Sequence, residues 1–230
     1  MLSFFESLKN LIKFIKIDNK EKEFVLYSES KFYREHFLDL ILNLNKSGYK
    51  NTIFITSDKD DFIFFKNIST CIYIKSYLLL VIFFKILKCK FMIMTLTGLG
   101  NPFQKSKLCK YYVYFFHAIA STHQIYTKSA FKNYDIILTN GEYQSKELKL
   151  AEEKFNLPKK EIVNSGYFYL DYIKKKANLT IKEKRHILFA PSWNYNNKNL
   201  FDDYSIDVIS NLIAKNFIIT LRPHPEHYKR

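Results

Sequence analysis

Tyr77-Leu-Leu-Leu-Val-Ile-Phe-Phe-Lys-Ile-Leu-Lys-Cys-Lys-Phe-Met-Ile-Met94 is a dense apolar run whose reading decides between a membrane-spanning chain and a folded α/β protein. A transmembrane helix needs about 20 consecutive apolar residues. Lys85, Lys88 and Lys90 interrupt this run, and each would cost on the order of 2.5–3.5 kcal/mol at bilayer depth. The stretch therefore predicts a buried helix followed by a buried strand.

The same alternation extends in both directions. Short apolar runs at Phe24 to Tyr27, Thr52 to Thr56, Cys71 to Ile74, Phe91 to Thr95, Tyr112 to Phe116, Ile136 to Thr139 and Glu161 to Asn164 read as strands, with helical patterns between most of them. Ser28 or Ser30 is placed to cap a helix through Leu38 to Leu44, and Gly48 to end it. Strands alternating with helices predict a mostly parallel sheet with helices on its faces, an α/β fold. Behind a Lys-rich connector at Ile173 to Arg185, a second alternation begins, with a strand at Ile187 to Phe189, a helix at Tyr204 to Ala214 and a strand at Phe217 to Leu221. The expected organisation is an amphipathic helix over 1–18, a first α/β domain over 19–175, and a linker with an incomplete second domain over 176–230.

The totals agree with a folded protein. Of 230 residues, 47% are hydrophobic and 17% aromatic, with 5 Gly and 5 Pro, which excludes disordered and low-complexity classes. The formal charge of +14 favours anionic partners such as nucleic acid, phospholipid surfaces or phosphorylated substrates. No zinc finger, RNA-recognition signature or helix-turn-helix spacing is visible, so nucleic acid is not the expected partner. Cys71, Cys89 and Cys109 are too few and too widely spaced for a disulfide framework or a zinc site, and read as core residues of a reducing compartment. No Asp or Glu cluster of ligand spacing stands out, and no metal is assigned.

From Phe4 to Ile15, apolar residues recur at helical spacing, with Lys9, Lys13 and Lys16 toward the other side. Two readings stand: a membrane-surface anchor, or a first helix packed on its own domain. The run Met1 to Ile17 is too charged for a secretory signal and lacks a cleavage site.

Candidate chemistry gathers where strands end. His117 follows the Tyr112 to Phe116 strand and precedes Ala118-Ile-Ala-Ser121, where an imidazole suits proton abstraction at neutral pH; the alternative is a core histidine bonded to a backbone carbonyl. Thr139-Asn140-Gly141-Glu142 joins a strand to the helix from Tyr143 through Phe155, a junction whose free amides attract anions, or an ordinary turn. Asn164-Ser-Gly-Tyr167 repeats that junction. The two glycines of Thr97-Gly-Leu-Gly-Asn-Pro102 do not complete a dinucleotide fingerprint. In the second alternation, Ser192 of Ala190-Pro-Ser-Trp193 is a candidate phosphate donor, and Trp193 a ligand-stacking or packing residue. Arg222-Pro-His-Pro225 stiffens the backbone around His224 beside a guanidinium suited to phosphate.

Taken in order, Phe-Phe-His117-Ala-Ile-Ala-Ser121, Leu-Thr-Asn140-Gly141, Asn164-Ser-Gly-Tyr167, Leu-Phe-Ala-Pro-Ser192-Trp and Leu-Arg222-Pro-His224-Pro resemble the CDP-glycerol glycerophosphotransferase family of teichoic acid and surface polymer synthesis. The resemblance covers about Phe91 to His224. It implies a GT-B-like architecture of two Rossmann-like domains, an acceptor-side one first and a donor-binding one second. It also implies a cytoplasmic enzyme, peripheral on the inner face of the cell membrane, that moves glycerol phosphate from CDP-glycerol to a hydroxyl of a lipid-linked acceptor. By resemblance, His117 is the candidate base and His224 lies near the donor phosphates, with Arg222, Ser192, Asn140, Gly141 and Ser121 on substrate or phosphate. No cofactor beyond the CDP-glycerol donor and no metal is implied.

Two departures qualify that reading. Ala118-Ile119-Ala120 stands where the family commonly has Gly-Thr-Pro, which restricts backbone approach to a phosphate, and the family's later donor-binding segment does not follow His224. The chain is thus expected to be a truncated or split member, completed by a separate C-terminal fragment and weakly active alone. The competing expectations are a nucleotide-sugar glycosyltransferase of capsule or lipid-linked glycan synthesis, and an inactive remnant that binds the membrane surface.

Overall fold

The computed structural model describes residues 2–177, 185–191 and 200–224. The chain divides into two compact units, Met1–Lys176 and Ala177–Arg230.

The first unit contains seven strands, β1 (Phe24–Ser28), β2 (Thr52–Thr56), β3 (Thr70–Tyr73), β4 (Cys89–Met94), β5 (Cys109–Phe115), β6 (Ile136–Thr139) and β7 (Glu161–Asn164). All pair in parallel, in the order β3-β2-β1-β4-β5-β6-β7. Its helices are α1 (Leu2–Lys16), α2 (Arg34–Lys46), α3 (Lys59–Phe65), α4 (Tyr77–Ile86), the short α5 (Thr122–Ile125), α6 (Glu142–Lys154) and α7 (Phe168–Lys176). This is a Rossmann-like α/β fold.

A parallel sheet covered on both faces must bury both sides of its central strands, so those strands carry continuous apolar runs rather than alternation. Every residue of β2 is buried, and four of five in β1. One face packs Val25, Tyr27, Met92, Met94, Tyr112 and Tyr114 beneath α1, α4 and α6. The other packs Leu26, Phe54, Ile93, Val113 and Phe115 beneath α2 and α3, with Phe168 of α7 against them. The helices that follow β1 and β2 thus lie on one face, and the helices α4 and α6 on the opposite one.

The run Tyr77 to Met94 folds as the sequence predicts, into α4 with Leu79, Leu80, Phe83 and Phe84 buried, then β4. Among the described residues no helix is long and apolar enough to cross a membrane. Helix α1 belongs to the first unit. Leu11 and Phe14 are buried, Phe14 meeting Phe83 of α4 edge to face at 5.0 Å, and two such side chains hold the helix by roughly 3–6 kcal/mol. Its last turn is closed by Lys22, whose buried ammonium donates to the Ile15 carbonyl at 3.3 Å, where a helix end favours a cation. Ser30 caps a short 3-10 turn at Lys31–Tyr33, and α2 starts only after it. The three cysteines are buried free thiols, Cys89 and Cys109 lying side by side on β4 and β5 with sulfurs 3.4 Å apart.

Among its described residues the second unit shows β8 (His186–Phe189), α8 (Leu200–Ala214) and β9 (Ile218–Leu221), the two strands pairing in parallel.

Candidate functional site

Ligands of open parallel sheets bind beyond the carboxyl ends of the strands, where the loops converge. In the first unit the loop after β5 carries His117, and three neighbouring elements fix its course. Phe116 is fully buried and its amide donates to the Leu138 carbonyl, extending the ladder toward β6. Beyond it, Asn140 Nδ2 donates to the Ala118 carbonyl at 2.8 Å, while Gln144 Nε2 donates to the carbonyls of Ala118 and Ala120 at 3.2 and 3.0 Å. From β7, Tyr167 donates its hydroxyl to the His117 carbonyl at 3.3 Å. Gly166 at φ +77° makes the turn that delivers Tyr167, a conformation side-chain-bearing residues resist.

The His117 ring is half-buried against Tyr33, ring centres 4.5 Å apart, and lies 6.3 Å from the ring of His36 on α2. Tyr167 and Tyr169 also pack on His36, ring centres 5.5 and 4.8 Å away. Burial lowers the His117 pKa. In His36, 7% exposed, burial first and then His117 lower it to about 4. Nδ1 of His117 is buried with no hydrogen-bond partner. An imidazolium carries N–H on both nitrogens, so an unpartnered buried nitrogen further favours the neutral ring. Nε2 is left as the nitrogen able to reach a ligand, and a neutral ring there can accept a proton from a hydroxyl at physiological pH.

Asn140 and Gly141 lie beside this loop. Asn140 is the clamp on Ala118, its amide is taken by Gln144 Oε1 at 2.9 Å, and its own Oδ1 is buried without a partner. Gly141 is the N-cap of α6, in an extended conformation with no side-chain cap. The amide of Asn140 is thus already occupied, which reduces what this turn offers an anion. Ser121 is committed to scaffolding. It donates to Glu147 Oε1 at 3.0 Å, and Thr122 binds the other carboxylate oxygen through amide and hydroxyl. Against the upward push of burial, these hydrogen bonds hold the Glu147 carboxyl below its usual range.

Arg222 and His224 belong to the second unit. The Arg222 amide donates to the Phe189 carbonyl at 2.9 Å, continuing the β8–β9 pairing past the strand end, and both side chains are exposed. Ser192 and Trp193 lie outside the described residues.

An apolar cavity of about 280 Å³ elsewhere in the first unit is walled by Tyr126, Phe131, Leu148 and Phe155. It includes neither His117 nor Asn140. Among the described residues no group of three or more His, Cys, Asp or Glu could hold a metal ion. His36, Tyr33 and Gln144 were not singled out in the sequence. His36 and Gln144 sit on the inward faces of α2 and α6, and a polar residue at an inward helical position was the available signal.

These features define a Rossmann-like α/β protein with a histidine-bearing strand edge. Comparison with protein-family models, with curated proteins and with solved structures yields no match. The functional reading therefore rests on the chemistry of the site.

Proposed function

We propose that the protein is a transferase that moves glycerol phosphate, or a similar polyol phosphate, from CDP-glycerol to a hydroxyl of a membrane-linked surface polymer or its primer. The observation that carries this reading is the His117 imidazole, half-buried at the carboxyl end of β5, its pKa lowered by that burial, with the following loop clamped by Asn140 and Gln144. His117 takes the proton of the acceptor hydroxyl. The hydroxyl oxygen attacks the phosphorus bearing glycerol, the bond to the CMP oxygen breaks, and CMP leaves. Clamping the loop supports this because a transferring base must be held within a fraction of an ångström of its proton. Arg222 and His224 are assigned to the donor phosphates, on the chemistry of a guanidinium and an imidazole rather than on any contact.

A location at the inner face of the cell membrane belongs to this proposal, and the chain's charge and helices α1 and α4 support it. These neighbouring helices leave Phe5, Ile12, Leu78 and Ile82 exposed, with Lys9, Lys13 and Lys85 among them, a pattern suited to an anionic bilayer surface.

The test is release of CMP and incorporation of label from radiolabelled CDP-glycerol into a lipid-linked primer, with CDP-ribitol and UDP-sugars as competing donors. His117→Ala is expected to lower the rate by about 10²–10⁴-fold, the range of general base catalysis. Turnover of a UDP-sugar in place of CDP-glycerol would move the protein to the glycosyltransferases.

A further inference from the structure

Native interiors leave few voids larger than a water molecule. The first unit nevertheless keeps its apolar cavity of about 280 Å³, lined by α6 and by the segment from Thr122 to Phe131. One wall is Leu148, Ala151 and the C-cap residue Phe155, at the three- and four-residue spacing of a single face of α6. Another is Tyr126 and Phe131, ring centres 5.1 Å apart. Fully buried rings back these two: Tyr114 of β5 lies 4.7 Å from Phe131, and Phe116 lies 5.7 Å from Tyr126. Bracing of this kind preforms the cavity, so a ligand that enters does not bear the cost of ordering its walls.

The charged part of the lining is unbalanced toward the positive. It holds Lys128, Lys154 and Lys160 against Glu152. Glu152 is already committed, accepting the Lys160 amide at 3.0 Å with the Lys160 ammonium 3.7 Å away. Lys128 and Lys154 take part in none of the ion pairs among the described residues, and both ammoniums lie over the Phe155 ring, at 4.5 and 5.7 Å. The Lys160 side chain is only 3% exposed, and its Nζ donates to the Pro158 carbonyl. Its approach to Glu152 is too long for a hydrogen bond. An ammonium has three N–H groups, so this one retains donors without an acceptor among the described residues, and burial lowers its pKa. A nearly buried donor in that state is stabilised by an acceptor able to enter the cavity.

We infer that this cavity binds a small aromatic carboxylate of two fused rings, its body against the α6 face and the Tyr126 and Phe131 rings, its carboxylate on the Lys160 ammonium. An apolar cavity of about 150 Å³ holds benzene, and nearly twice that space suits a second ring. A ring system is favoured over an alkyl chain because Tyr126, Phe131 and Phe155 offer edges and faces that another ring complements. The three lysines oppose a cation, and a neutral body leaves the Lys160 donors unfilled. The site is separate from His117 and independent of the transferase reading.

The test is isothermal titration calorimetry on the full chain with naphthoate, with naphthalene methanol as the neutral probe, naphthylmethylamine as the cationic one and decanoate as the alkyl anion. Wild type, Lys160→Gln and Ala151→Phe are compared, with urea melts to verify that both variants fold. Wild type is expected to take one naphthoate per chain and to bind the alcohol at least about tenfold more weakly, as for loss of a charge-assisted hydrogen bond. Lys160→Gln should weaken naphthoate by a similar factor, and Ala151→Phe, which fills the cavity, should abolish its binding. A formal charge of +14 draws anions to the surface at large, so naphthoate binding unchanged in Ala151→Phe would overturn the inference. Absence of naphthoate binding, decanoate bound as tightly, or preference for the amine would overturn it as well. If a variant does not fold, the ranking of the four probes on wild type decides alone.

Discussion

Asn140 on the β6 loop donates to the carbonyl of Ala118, so the residue next to His117 is anchored to the neighbouring strand rather than to its own. Replacing Asn140 by Asp exchanges that donor for an acceptor facing a carbonyl. A loss of about 1–3 kcal/mol is expected, the cost of leaving buried partners unpaired, read as a lower urea midpoint. In the transferase assay the same variant should lower kcat more than it raises KM, because it displaces the base and leaves the donor contacts alone. Asn140→Ala with unchanged stability would show that Gln144 holds the loop by itself.

The two histidines give the fold a pH dependence of definite sign. His36 titrates near 4 in the folded protein and near 6.5 in the unfolded chain, so between those values the unfolded state binds more protons. Stability from this residue is therefore complete above about pH 6.5 and is lost as pH falls toward 4, by on the order of 3 kcal/mol. His117 adds a loss in the same direction. Urea unfolding at intervals from pH 7.5 to 4 should show this slope, and His36→Gln should flatten it. An unchanged slope in that variant would place the effect elsewhere.

Arg34 opens the helix that carries His36, and its Nε binds the fully buried Asp61 of α3 at 2.8 Å while the guanidinium lies over the Phe64 ring. Burial outweighs this pairing and pushes the Asp61 carboxyl up, so the aspartate depends on its partner to stay ionised. Arg34→Leu leaves a buried, unpaired carboxyl and is expected to cost about 3 kcal/mol or more. Arg34→Leu with Asp61→Leu should recover most of that loss in the same denaturation measurement. A double variant no more stable than Arg34→Leu alone would mean that packing, not charge, is what Arg34 supplies.

For the membrane face, flotation with phosphatidylglycerol vesicles should carry the wild-type chain to the top of the gradient. Phe5→Glu, Ile12→Glu and Ile82→Glu combined should leave it at the bottom without changing its circular dichroism. Raising the salt should weaken binding in part, because lysine attraction is screened and the apolar contribution is not. Equal flotation of wild type and the triple variant would remove this surface from consideration.

Much of the fold was legible without coordinates. All seven strand runs of the first unit match observed strands to within three residues at either end, and the largest difference is at β5, which begins at Cys109 rather than Tyr112 because Cys109 pairs with Cys89 of β4. The first helix was ambiguous for a physical reason. Its stripe is wide enough to bury Leu11 and Phe14 while leaving Phe5, Ile12 and Ile15 outside, so periodicity supports both readings at once.

Local chemistry along the chain determined where strands, helices and turns fall, and that His117 would stand at a strand end, because apolar periodicity and turn residues act over a few neighbours. Strand order is set by packing between segments far apart in sequence. Only the tertiary structure decided that the sheet reverses between β1 and β4, that Glu29 faces Thr95 there, and that His36 and Tyr33 lie against His117. The burial that keeps those imidazoles neutral comes from the same distant contacts, since a side chain loses water only when other elements close over it.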